Sequence, residues 1–244
     1  MEWSDDAIVL AVRPHGESSA ILEVLTRSHG RHLGLVRGGA SRRTRPVLQP
    51  GNALRLHWRA RLSEHLGNFS AELVKARAGE MLDSRDALTG LNAFTAVASA
   101  ALPEREAHAS VFEAAGVLLD AMVENDFVHW GALYVRWEAG LLDELGFGLD
   151  LSRCAATGAS EDLVYVSPRS GRAVSSGAGA AYRERLFALP AFLLGTQGAP
   201  TAAADVLAGL RLTGHFLEAR VLHPHDRTMP PARARLDELV ARES

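Results

Sequence analysis

Over the first 75 residues the apolar positions fall into short runs separated by turn-forming residues. Ala7–Arg13 is an apolar run that stops at Pro14. Ile21–Thr26 alternates into the turn Ser28-His29-Gly30, and Arg31–Arg37 leads into a breaker-rich stretch from Gly38 to Pro46. Leu54–Leu62 carries the clearest pattern. Leu54, Leu56, Trp58, Ala60 and Leu62 occupy one parity, and Arg55, His57, Arg59 and Arg61 the other. Side chains alternate between faces of an extended chain, so this predicts a strand with one apolar face and one face of three arginines and a histidine. A fifth strand is predicted over Asn68–Lys75. Five short strands with no helical period between them predict a small antiparallel barrel and argue against a doubly wound sheet.

Past about residue 80 the spacing becomes helical. Val111, Phe112, Ala115, Leu118, Leu119 and Met122 form one amphipathic stripe, and Trp130, Leu133, Tyr134, Trp137 and Leu141 form the next. The second helix is expected to stop at Gly146-Phe147-Gly148, because glycine suits the left-handed cap. Two more helices are predicted, one through Ala203, Val206, Leu207, Leu210, Leu217 and Val221, the other over Ala232–Arg242. Leu149–Ala181 is small, polar and Gly-rich, with a short strand at Leu163–Val166. Gly195–Ala204 reads as a loop leading into a helix.

Composition adds a folded chain of 244 residues, 47% hydrophobic and 23% charged, long enough to bury a substantial core. One cysteine, Cys154, excludes an internal disulfide and a zinc site built mainly from thiolates. No run of about 18 apolar residues occurs, and the acidic N-terminus is no basic signal region, so a cytoplasmic protein is expected. The net charge is −3. Its distribution is uneven: residues 1–80 hold 12 basic and 8 acidic side chains, and from Arg31 to Arg61 eight arginines occur without an Asp or Glu. Arginine over lysine throughout reflects base composition, but the missing acids point to a polyanionic partner.

No phosphate loop, dinucleotide fingerprint, nucleophile elbow or HExxH is present, and Gly177-Ala178-Gly179 lacks the strand–turn–helix context of a nucleotide loop. His223, His225 and Asp226 are read as a surface turn, with a hydrolase built on them as a rival. Cys154 is read as a small buried hydrophobe. No enzyme and no cofactor are expected. Guanidinium groups bind phosphates in bidentate fashion, so an arginine face beside an arginine loop can follow a sugar–phosphate backbone. Trp58 shares the apolar parity, which leaves Phe69 and Trp3 as weak stacking candidates.

Val9–Thr26 (VLAVRPHGESSAILEVLT), His29–Arg45 (HGRHLGLVRGGASRRTR), Gln49-Pro50, the stretch Arg136-Trp137-Glu138-Ala139-Gly140-Leu141-Leu142 and Leu145-Gly146 together resemble, in order and spacing, the bacterial DNA repair and recombination mediator family RecO. The resemblance implies an α+β protein. An oligonucleotide-binding (OB) type antiparallel barrel over residues 1–80 would be followed by a mainly helical domain over 81–244, with a degenerate, metal-free zinc-finger-like insert at about 149–181. It implies binding of single- and double-stranded DNA, annealing of complementary strands and, with RecR, help in loading RecA onto DNA coated by single-stranded DNA-binding protein (SSB). The expected DNA-binding set is Arg31, Arg37, Arg42, Arg43, Arg45, Arg55, His57, Arg59 and Arg61. Some family members hold zinc through two Cys-x2-Cys pairs. Here Cys154 stands at the first position, Thr157 at the second, and Arg172–Gly179 has no cysteine, so no structural zinc is expected. Leu212-Thr213-Gly214-His215 departs from the family's basic step, so if that step reads the SSB tail the role passes to other cations, Arg136 first and His215 second; Arg136 reads equally well as an intrahelical ion-pairing residue. An RNA- or ribosome-associated OB protein remains the alternative.

Overall fold

The computed structural model describes residues 1–195 and 201–243, in two compact units, Met1–Glu124 and Asn125–Ser244. The first begins with β1 (Glu2–His15), β2 (Ser19–Thr26), β3 (Gly30–Val36), β4 (Ala53–Arg59) and β5 (Asn68–Lys75). These strands close a barrel in the order β1-β2-β3-β5-β4. All neighbours are antiparallel except β3 and β5, which meet in parallel at Leu35 and Asn68. This is the five-stranded Greek-key barrel that the resemblance implies. Its interior holds Val9, Leu22, Val24, Leu54, Leu56 and Trp58, each at most 2% exposed.

Two strand bounds lie three or more residues from the expectation. β1 starts at Glu2, because its acidic residues find cationic partners across the ladder: Glu2 faces Arg59 and Asp6 faces Arg55. Buried Asp5 is satisfied by the Ser28 N–H (2.8 Å), the Asp6 N–H (2.9 Å) and His29 Nδ1 (2.8 Å). β4 ends at Arg59 and not at Leu62. The Ala60 N–H turns to the Met1 carbonyl, and Leu62 lies exposed outside the core. Arg61 therefore leaves the strand face to which parity assigned it.

After the barrel come the single turn α1 (Arg77–Glu80), α2 (Arg85–Ala101) and α3 (Ala109–Glu124). The stripe from Val111 to Met122 is α3's buried face, with Phe112 half-buried at its edge. α2, which no sequence stripe singled out, is capped by the Ser84 hydroxyl accepting the Ala87 N–H.

The second unit contains α4 (Phe127–Glu144), capped by Asp126 accepting the His129 N–H at 3.0 Å. It ends as expected at Gly146, which takes φ +83° while the Phe147 N–H reaches back to the Leu142 carbonyl. The Gly-rich segment forms a small sheet of β6 (Leu163–Val166), β7 (Ala173–Ser175) and β8 (Phe187–Ala188) in the order β7-β6-β8, with the turn α5 (Ser176–Gly179). The loop expected at 195–204 falls, over 196–200, outside the described residues. α6 (Ala203–Phe216) continues as π-helical turns over Leu217–Leu222, and α7 (Pro231–Glu243) ends the fold. Trp130, Tyr134, Trp137, Leu210, Phe216, Leu236 and Val240 are buried across α4, α6 and α7. Among the described residues no helix is long and apolar enough to cross a membrane.

Candidate nucleic-acid interface

Eight of the nine basic residues singled out from the sequence divide into three groups, and Arg61 lies outside them. Arg31 stands apart. On β3, with a side chain only 12% exposed, it pairs with Glu23 (2.9 Å) and Glu104 (3.5 Å), and its Nε donates to the Leu102 carbonyl at 2.8 Å. The Arg105 N–H binds the Arg31 carbonyl alongside. Gly30 lets this segment close in: it takes φ +67°, and a Cβ there would meet the Glu106 carbonyl oxygen at 1.9 Å. Arg31 thus fastens the chain after α2 to the barrel, and its charge is taken up internally.

Arg55, His57 and Arg59 project from the outer face of β4, but that face is not purely cationic. Arg55 lies between Asp6 of β1, to which it is bonded at 3.0 Å, and Glu72 of β5. His57 lies between Ser4 and Ser70, bonded to the Ser4 hydroxyl at 3.1 Å, with Glu2 3.9 Å away. Arg59 lies between Glu2 and Asn68. The acid-free stretch of sequence becomes a mixed-charge surface because the neighbouring strands bring carboxylates to it.

Arg37, Arg42, Arg43 and Arg45 form the third group, on the connection between β3 and β4. All four are exposed, and among the described residues none is in an ion pair. The connection, read from the sequence as a breaker-rich arginine loop, is a wound, hydrogen-bonded segment. The Ser41 hydroxyl accepts the Thr44 N–H, Arg45 N–H donates to the Ser41 carbonyl at 2.9 Å, and Ala40 N–H donates to Ser18. Leu48 anchors the segment at zero exposure. Four guanidinium groups are therefore held on ordered backbone without neutralising partners. Arg61, exposed beyond the end of β4, is likewise unpaired among the described residues.

The stacking candidates are packed inward. Phe69, 4% exposed, meets His32 edge-on at 5.8 Å, and Trp3 stacks on His29 at 4.1 Å. His32 lies among Trp3, Trp58 and Phe69, and burial lowers its pKa below 6.5.

In the second unit, Arg136 donates through Nε and Nη2 to the Phe192 carbonyl, at 3.0 and 2.8 Å. His215 is bonded to the Pro168 carbonyl at 3.2 Å and packs against Phe187 and Phe216. The Cys154 and Thr157 positions do not fit a structural metal. Cys154 Sγ accepts from the Ser175 N–H (3.3 Å) and hydroxyl (3.4 Å), and the Thr157 hydroxyl accepts the Ala159 N–H. One thiol among hydroxyls is not the four-donor set that structural zinc takes. Among the described residues no three His, Cys, Asp or Glu side chains gather into a metal site, and His223, His225 and Asp226 are exposed. No local sequence pattern signals the completely buried Glu138–Arg233 pair. Arg233 meets Glu138 at 2.6 and 3.0 Å, and the Thr213 hydroxyl donates to the same carboxylate.

Comparison with known proteins matches residues 1–77 to the family description Recombination protein O N terminal, and residues 82–229 to Recombination protein O C terminal. The chain is 54% identical over 244 residues to the DNA repair protein RecO of Cereibacter sphaeroides, covering 99% of this chain and 100% of that one. To the protein of the same name from Phenylobacterium zucineum it is 55% identical over 233 residues, covering 96% and 95%. To that of Rhodospirillum rubrum it is 51% identical over 247 residues, covering 100% and 98%.

Proposed function

Since the chain belongs to the RecO family of DNA repair proteins, we propose that it acts without catalysis of its own, as a DNA-binding mediator of recombinational repair. The observation that carries this reading is the set Arg37, Arg42, Arg43 and Arg45, exposed on ordered backbone with no carboxylate on any of them among the described residues. A guanidinium already paired must exchange one anion for another, whereas an unpaired one gains the full charge-assisted bond to phosphate. The centre of the interface is therefore the β3–β4 connection. Arg61 and Arg59 extend it, Arg55 and His57 contribute after exchanging their carboxylate neighbours, and Arg31 acts as a structural residue.

Neutralising phosphates of two strands lowers the repulsion that opposes annealing, which requires no nucleotide hydrolysis. With RecR, and with the SSB tail held near Arg136 and His215, the same grip would deliver single strands to RecA. Backbone contact without free aromatic faces favours binding that ignores base sequence.

Salt-titrated anisotropy with a single-stranded oligonucleotide tests the core of the proposal. Four phosphate contacts give a log–log slope of about −3. Arg42→Glu, Arg43→Glu and Arg45→Glu together are expected to weaken binding by more than about tenfold and flatten that slope. Unchanged affinity in the folded triple variant would remove the interface from this place. A matched RNA strand in parallel separates DNA from RNA, since RNA recognition uses the 2′-hydroxyl.

A further inference from the structure

Beside the arginine connection lies a groove of about 580 Å3, walled by that connection on one side and by α1 and the following turn on the other. Its width is fixed from below by Asn52, which is 1% exposed. The Asn52 amide nitrogen donates to the carbonyls of Pro46 (3.0 Å) and Val47 (3.1 Å) in one wall, and its oxygen accepts the Ala78 N–H (3.0 Å) in the other. One buried side chain ties both walls, so the groove is preformed, as binding clefts commonly are.

The lining combines two chemistries. Leu73 and Leu82 present aliphatic surface, 44% and 68% exposed, while Arg42 and Arg45 bring positive charge that no described carboxylate meets. No aromatic ring lines the groove, so a nucleobase would find nothing to stack on. Aliphatic walls next to unpaired guanidinium groups instead complement an apolar side chain flanked by carboxylates. We propose that this groove binds an acidic segment of a partner protein, its apolar anchor on Leu73 and Leu82 and its carboxylates on Arg42 and Arg45. A second consequence rests on the DNA-binding reading above. The two arginines also belong to the phosphate-binding set, so partner segment and DNA exclude one another there, and a bound partner holds the protein in a state with weakened grip on DNA.

Anisotropy on the full chain, with a fluorescein-labelled dodecapeptide carrying two leucines among aspartates and glutamates, tests this in the absence of DNA. Saturable binding is expected. It should weaken about tenfold or more in Leu73→Ser, in Leu82→Ser, in Arg42→Ala with Arg45→Ala, and when the peptide's leucines become serines. Both leucines are exposed, so their variants should stay folded by circular dichroism and keep DNA affinity within about twofold. Absence of saturable binding, or equal binding of the serine peptide or by both folded leucine variants, overturns the proposal. In a competition arm, unlabelled single-stranded DNA should displace the peptide. Peptide binding that DNA leaves untouched overturns the shared use of the arginines, while the groove assignment stands on the variants alone.

Discussion

Arg31 and Arg45 come from the same acid-free stretch, yet the fold uses them in opposite ways. Arg31 offsets Glu23, itself only 5% exposed, and holds the Leu102 carbonyl. Arg31→Ala leaves a buried carboxylate without its nearer partner, and is expected to lower the free energy of unfolding by about 2 kcal/mol in a urea melt. Its DNA affinity should move by less than about twofold, the reverse of an Arg45 substitution. His32 is buried, 3% exposed, among aromatic rings. Because burial sets its folded pKa below 6.5, the unfolded chain takes up the proton first as pH falls. Stability is therefore lost as pH drops below about 6.5, and none of this contribution is lost above it. Melting temperatures from about pH 7.5 to 5.5 should fall more steeply for the native chain than for His32→Asn, and equal slopes would discount the residue.

Among the elements, β4 and the β3–β4 connection show how register redistributes charge. The alternation from Leu54 to Trp58 made one face apolar in sequence and one face buried in structure. What alternation does not contain is the identity of the neighbouring strands, and these place Asp6, Glu2 and Glu72 beside the arginines. In the helical unit, α4, α6 and α7 are joined by a polar knot. Arg233, at zero exposure, binds Glu138, the Leu210 carbonyl and Asp237, while Thr213 of α6 binds Glu138. Removing one member of such a pair strands a charge, whereas replacing both with apolar residues is often nearly neutral. Arg233→Met is accordingly expected to cost about 3–5 kcal/mol, and Glu138→Met with Arg233→Met to recover most of it. Denaturant melts of the single and double variants measure this directly, and additive losses would contradict it.

For the whole molecule, the charge imbalance of the first 80 residues does not carry over to a compact unit. The unit spanning Met1–Glu124 holds 14 basic and 15 acidic side chains, because α2, α3 and the segment between them bring in carboxylates. On the DNA-binding reading proposed above, attraction to a polyanion would be local and centred on the β3–β4 connection. Folding is expected to need no metal, since Cys154, Ser175, Thr157 and the Asp150–Arg172 pair already hydrogen-bond within the Gly-rich segment. Chelator should leave the melting temperature of the tag-free chain unchanged and release less than about 0.1 zinc per chain; stoichiometric zinc would overturn this. Period and turn chemistry in the sequence determined the five strands, the stripes of α3 and α4 and the stop at Gly146, since these are short-range properties of backbone and side chain. Tertiary structure alone decided which arginines are free. Ion pairing depends on strand neighbours and on segments far along the chain, such as Glu104 beside Arg31, and no local pattern encodes those distances.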